Sequence, residues 1–89
     1  FALAFNASVN GERQKRISSA LGASGEAAHI VTDRLIRGLG MPRSLSEVGV
    51  KKSDLPRLAD AIMQDIWTRT NPRPVETAAE VATFLETAL

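Results

Sequence analysis

Eighty-nine residues allow one small domain with a limited core. Eleven basic and ten acidic residues are interspersed for a net charge of +1, which gives no electrostatic case for nucleic acid or an anionic membrane. There is no Cys to form a disulfide, a single His cannot make a metal cluster, and no apolar run approaches the roughly 18–20 residues that span a bilayer.

Phe1 stands where an initiator Met is expected, and Phe1, Leu3, Ala4 and Phe5 are apolar up to the end of the chain. Residues 1–7 therefore read as the last turns of a helix that began earlier in a longer chain. Asn6, Ser8, Asn10 and Gly11 supply turn chemistry. Asn10 is then the expected N-cap of a helix from Gly11 or Glu12 to Leu21, with Ile17, Ala20 and Leu21 as its apolar face and Gly22 past its end. Ser24 is the expected cap of a second helix, Gly25 to Leu39. Its apolar face is Ala27, Ala28, Val31, Leu35 and Leu39, broadened by Ile30, and Asp33 pairs with Arg37 on the wet side. Gly40 ends that helix and Pro42 prevents its resumption. Leu45 to Val48 is long enough for one helical turn; Val50 reads as buried, Lys51 and Lys52 as solvated.

Ser53 is the expected cap of the strongest helix, Asp54 to Ile66, with Pro56 tolerated in its first turn. Leu55, Leu58, Ala59, Ile62, Met63 and Ile66 keep helical spacing throughout. Thr77 and Glu80 match the S/T-x-x-E capping box, and Val81, Phe84, Leu85, Ala88 and Leu89 form the last apolar face. No stretch reads as a strand, a repeat or a linker. The expected fold class is all-α, a short bundle of four main helices plus the N-terminal helix stub, making one domain over residues 1–89.

Trp67-Thr68-Arg69-Thr70-Asn71-Pro72-Arg73-Pro74 separates the last two helices and reads as the one long run that cannot be helical. Pro72 and Pro74 lack N–H groups and push Asn71 and Arg73 toward extended backbone. Two readings stand side by side. In one, the run is a helix stop and spacer with Trp67 as a core anchor. In the other, it lines a substrate cleft through Trp67, Thr68, Asn71 and Arg73, with Thr70 a further hydrogen-bonding group. Arg73 could present its guanidinium to a carboxylate or phosphate, or pair with a neighbouring helix. No catalytic, cofactor-binding or metal-binding residue is assigned within the chain.

Other candidates read as ordinary structure. His29 has no ligand partners at useful spacing and is expected to be a surface residue. Gly38-Leu39-Gly40 is a helix end, lacking the wider phosphate-loop pattern. Arg13, Gln14, Lys15 and Arg16 form a solvated face. Ile17 to Val31 has the outline of a helix-turn-helix, yet its second helix would open Gly25-Glu26-Ala27-Ala28-His29, without the Arg, Lys, Gln or Asn that meets bases and phosphates. A stand-alone helical interaction module, binding a partner helix through Leu58, Ile62 and Ile66, is a further alternative.

Taken in order, Asn6–Leu21 (NASVNGERQKRISSAL), Leu35–Gly49 (LIRGLGMPRSLSEVG), Asp54–Asp65 and Thr70-Asn71-Pro72-Arg73-Pro74 resemble the C-terminal helical domain of the iron-containing (group III) alcohol dehydrogenases. That family includes maleylacetate reductases and has the dehydroquinate synthase-like fold. The resemblance covers essentially the whole chain. It implies a parent oxidoreductase with an α/β nucleotide-binding domain on the N-terminal side, NAD(P) as cofactor, and a divalent metal, Fe or Zn. It implies that an Asp and three His hold the metal, the last of them shortly before Phe1, so that both cofactors are bound mainly outside this chain. It also implies a small-molecule substrate, the missing nucleotide-binding domain as partner and a homo-oligomeric parent. Trp67, Thr68, Asn71 and Arg73 would lie on the substrate side of the interdomain cleft. Two chemistries compete, hydride transfer between an alcohol and NAD(P) and maleylacetate-type reduction of an activated alkene; the isolated piece is expected to be inactive. The absence of Cys suits a reducing cytoplasm, the expected location.

Overall fold

A computed structural model describes residues 1–89, and its regular structure is entirely helical, with no strand. The α-helices are α1 (Ala2–Ala20), α2 (Ala28–Gly38), α3 (Leu55–Gln64) and α4 (Ala78–Glu86), with 3-10 turns at Ser46–Val48, Lys52–Asp54 and Ile66–Thr70. This is the expected fold class. No helix is long and apolar enough to cross a membrane. The chain divides into two compact units, Phe1–Met41 and Pro42–Leu89.

In the first unit the predicted stub and first helix are two limbs of α1, broken at Asn10 (φ −132°, ψ 23°). The break is a sharp bend. The Gln14 side chain donates to the Leu3 carbonyl at 2.8 Å. In a straight helix eleven residues advance about 16 Å, far beyond the reach of a glutamine. Asn10 is thus the corner itself, and its Oδ1 accepts from Gln14.

The buried face of α1 is Asn6, Gln14 and Ser18. It is not the expected Ile17, Ala20 and Leu21, of which Ile17 is half-buried and the other two exposed. Polar side chains are tolerated inside when bonded. Gln14 reaches the Leu3 carbonyl, and Ser18 Oγ donates to the Glu26 carbonyl at 2.8 Å.

Helix α2 begins at Ala28, three residues later than expected, and Ser24 does not cap it. Ser24 Oγ instead donates to Ser19 Oγ, and Gly25 adopts φ +92°, which keeps the chain turning before the helix. Its end is as expected. Gly40 (φ +70°) donates to the Arg37 carbonyl and Met41 to that of Ile36, a Schellman closure followed by Pro42. Of the expected apolar face only Ala28 and Val31 are buried, while Ile30, Leu35 and Leu39 stay exposed.

In the second unit α3 packs on α4. Leu55 and Ala59 meet Val81 and Leu85, flanked by Leu58, Ile62, Met63, Phe84 and Leu89. Leu45 and Val50 pack on this core from the preceding segment. The Leu45 N–H donates to the Ala88 carbonyl at 2.8 Å, Ser46 Oγ to that of Leu89 at 2.6 Å, and Lys52 pairs with Glu86.

Helix α3 starts at Leu55 after a 3-10 turn, with Pro56 in its first turn. Ser53, the expected cap, makes no capping bond; the Asp54 carboxylate accepts the Lys51 N–H at 2.9 Å. The helix stops at Gln64, so Ile66 falls outside it and is 65% exposed, although its spacing continues the apolar stripe. Helix α4 opens on the expected Thr77–Glu80 capping box.

Candidate functional site

Asp65 ends α3 by turning to extended backbone (φ −71°, ψ 127°), and its carboxylate accepts the Trp67 N–H at 3.0 Å. That cap starts the 3-10 turn Ile66–Thr70, closed by Thr68 N–H to Asp65 O and Asn71 N–H to Thr68 O. The stretch expected to be wholly non-helical is therefore helical over its first four residues. The physical reason is local: a proline restricts only the residue before it, so Pro72 and Pro74 act on Asn71 and Arg73 and leave Trp67–Thr70 unconstrained. Asn71 is extended, as Pro72 demands (φ −61°, ψ 134°).

The loop is tied at both ends. Thr68 Oγ1 donates to the Ile62 carbonyl at 2.7 Å, fastening the turn onto the end of α3. Beyond Pro74, half-buried Val75 packs on the core. The N–H groups of Glu76 and Thr77 then both donate to Glu80 Oε2, at 2.8 and 3.0 Å.

The polar groups nominated from sequence are used within the loop. Besides Thr68, Thr70 Oγ1 donates to the Trp67 carbonyl at 2.9 Å, and Asn71 Nδ2 to that of Arg73 at 2.6 Å. The hydroxyl oxygens of Thr68 and Thr70 keep acceptor capacity. Trp67 is 73% exposed and anchors no core formed by residues 1–89. Arg73 is exposed, and its charge reaches Glu80 on α4. The Glu80 carboxyl is held below the ordinary range first by the N–H groups of Glu76 and Thr77, with Arg73 a smaller contribution.

Exposed Ile66 and Arg69 flank Trp67 in the turn. The helical spacing carries the apolar stripe of α3 on to Ile66, and the signal that ends the helix before it is Asp65, an N-cap residue type placed just ahead of it. The turn offers an aromatic and an aliphatic surface, a cation and hydroxyl acceptors. It contains no nucleophile paired with a base, and its one carboxylate, Asp65, is engaged with backbone. This chemistry is suited to binding rather than bond-making.

No three His, Cys, Asp or Glu side chains come together in a group that could hold a metal ion, and half-buried His29 has no such neighbours. The residues of this chain do not fit a metal site, and no step through a metal follows from them.

Residues 1–89 match the C-terminal part of the Fe-containing alcohol dehydrogenase family over their full length. The chain is 33% identical to the NAD-dependent methanol dehydrogenase of Bacillus methanolicus over 95 aligned residues, covering 97% of this chain and 25% of that one. It is 35% identical to the lactaldehyde reductase of Escherichia coli K12, covering 78% of this chain and 20% of that one. With Maleylacetate reductase 1 of Cupriavidus pinatubonensis it shares 33% identity, covering 88% and 21%. The chain thus spans a quarter or less of the length of these curated relatives. No solved structure matches it. The full-length family match, carried on four helices that the sequence pattern anticipates, establishes that the chain belongs to the Fe-containing alcohol dehydrogenase family and corresponds to its C-terminal part.

Proposed function

We propose that residues 1–89 form one helical domain on the substrate side of an NAD(P)-dependent, metal-containing alcohol dehydrogenase-like oxidoreductase. The observation that supports this most is the family match over the full length of the chain. In this reading the nucleotide and the metal are held by residues outside 1–89, and the metal polarises the oxygen of an alcohol or carbonyl substrate. The contribution of this chain is to bind and orient. The Ile66–Thr70 turn presents Trp67 to the substrate, and the Thr68 bond to Ile62 fixes the angle at which it does so. Trp67, Thr68, Asn71 and Arg73 then shape which small molecule is accepted.

The test uses the full natural polypeptide, loaded with Fe or Zn and assayed for hydride transfer between NAD(P) and a series of primary alcohols and their aldehydes. Trp67→Ala is expected to change the ratio of kcat/KM between long and short alcohols by about tenfold, the scale of a pocket contact. The KM for the nucleotide should not move. An unchanged ratio removes Trp67 from the substrate site, and absence of hydride transfer with every alcohol and aldehyde removes the proposal. The similarity to Maleylacetate reductase 1 supports a second reading, reduction of an alkene conjugated to carboxylates. Turnover of such an alkene, with none of the alcohols, would favour it.

A further inference from the structure

We infer that Gln14 is a clasp holding the bend of α1, and that releasing it loosens the backbone of Ala2–Arg13 on either side of the corner. The inference rests on how the bend is made and does not depend on the proposed activity.

Sharp helix bends have identifiable causes: a proline, a glycine, a bulge or an inserted side chain. There is no proline within α1. Gly11 follows the corner, yet a Cβ there would meet nothing within 4 Å, and its φ is not positive. Asn10 itself avoids the left-handed region. The backbone therefore permits the bend without enforcing it.

The Gln14 side chain spans the corner. Gln14 is 5% exposed. Its Nε2 donates to the Leu3 carbonyl at 2.8 Å and to Asn10 Oδ1 at 2.7 Å, so each amide hydrogen has a partner. One partner belongs to the limb and the other to the corner. Little apolar burial assists: no apolar residue of the limb is fully buried, Leu3, Phe5 and Ala7 are half-buried, and Val9 is 53% exposed. An amide at position 14 is chemically specific for this task. A glutamate carboxylate matches it in size but donates nothing, and a methionine matches its length without a donor.

The experiment is hydrogen–deuterium exchange of the full natural polypeptide, comparing wild type with Gln14→Glu and Gln14→Met. Peptides covering residues 2–13 should exchange about tenfold faster in both variants, the effect of losing one or two buried hydrogen bonds. Peptides from α3 and α4 should be unaffected. Unchanged exchange over residues 2–13 overturns the clasp. Should a variant lose protection everywhere, the wild-type protein decides. Selective 15N-glutamine labelling gives the Gln14 side-chain NH2 signals, expected to exchange slowly with water; rapid exchange overturns the inference.

Discussion

The Glu80 carboxylate accepts the backbone N–H groups of Glu76 and Thr77, while Thr77 Oγ1 accepts that of Glu80 at 3.2 Å. Three backbone donors at the start of α4 are thereby satisfied by two side chains. The ionised form of Glu80 accepts these bonds best, which is why its pKa lies below the ordinary 4.5. A carboxyl whose pKa is depressed on folding contributes stability that is fully present above its unfolded pKa. That contribution is lost as pH falls through the folded pKa. The Tm advantage of wild type over Glu80→Gln should therefore be full above about pH 5, shrink below about pH 4.5, and vanish in stronger acid. Thermal unfolding followed by circular dichroism across that range checks it. A gap independent of pH would show that the charge of Glu80 plays no part. The same donors fix the entry to α4 directly behind Pro74, so this residue also sets where the candidate loop ends.

Helices α3 and α4 hold each other through Leu55, Ala59, Val81 and Leu85, and the loop between them inherits its position from that packing. Leu55 is 2% exposed, so Leu55→Ala should cost about 2–5 kcal/mol. Ile66→Ala, at the same apolar spacing but 65% exposed, should change stability by no more than about 0.5 kcal/mol. Urea unfolding of both variants measures the contrast; similar losses would mean that Ile66 is buried in solution. The pair also marks what a sequence can and cannot disclose. The α3–α4 core and the Thr77–Glu80 box are written in local patterns, a 3.6-residue period and a four-residue motif, and both were legible. Ser24 and Ser53 look like caps because a short hydroxyl before an apolar run is the usual signature. Whether such a residue caps depends on the path of the preceding backbone, and at Ser24 a left-handed Gly25 takes that path away. Burial of Gln14 and Ser18 depends on carbonyls eleven and eight residues distant, which no local window contains. In the candidate site, the exposure of Trp67 stood open between a core anchor and a cleft residue, and only extended Asn71 followed from the prolines. The internal use of Thr68 and Asn71 did not, since each bond appears only once the turn is formed.

At the scale of the whole chain the two units are built from different materials. Within Pro42–Leu89 the buried side chains are all apolar: Leu55, Ala59, Val81, Leu85 and Ala88. Within Phe1–Met41 they are Ala28 and Val31 together with the polar Asn6, Gln14 and Ser18. Burial of apolar area contributes roughly 25 cal/mol per Å², whereas a buried hydrogen-bonded polar group contributes only about 1 kcal/mol net and becomes a liability when its partner moves. The first unit also carries a buried hydroxyl, Thr32 Oγ1, with no hydrogen-bond partner, a group that costs stability where it lies. Local stability is therefore expected to be unequal. In the 89-residue chain, amides of α1 and α2 should exchange at least about tenfold faster than those of α3 and α4, because the first unit opens without the second. Native-state hydrogen exchange at low denaturant resolves this. A common exchange free energy for all four helices would show instead that the chain opens only as one cooperative body. The inequality has a functional corollary under the proposed activity. The Ile66–Pro74 loop is mounted on the better-packed unit, so Trp67 would keep its placement even while α1 and α2 fluctuate. Ala28→Gly in α2 should accordingly raise exchange in the first unit and leave the Asp65–Glu80 amides as protected as before.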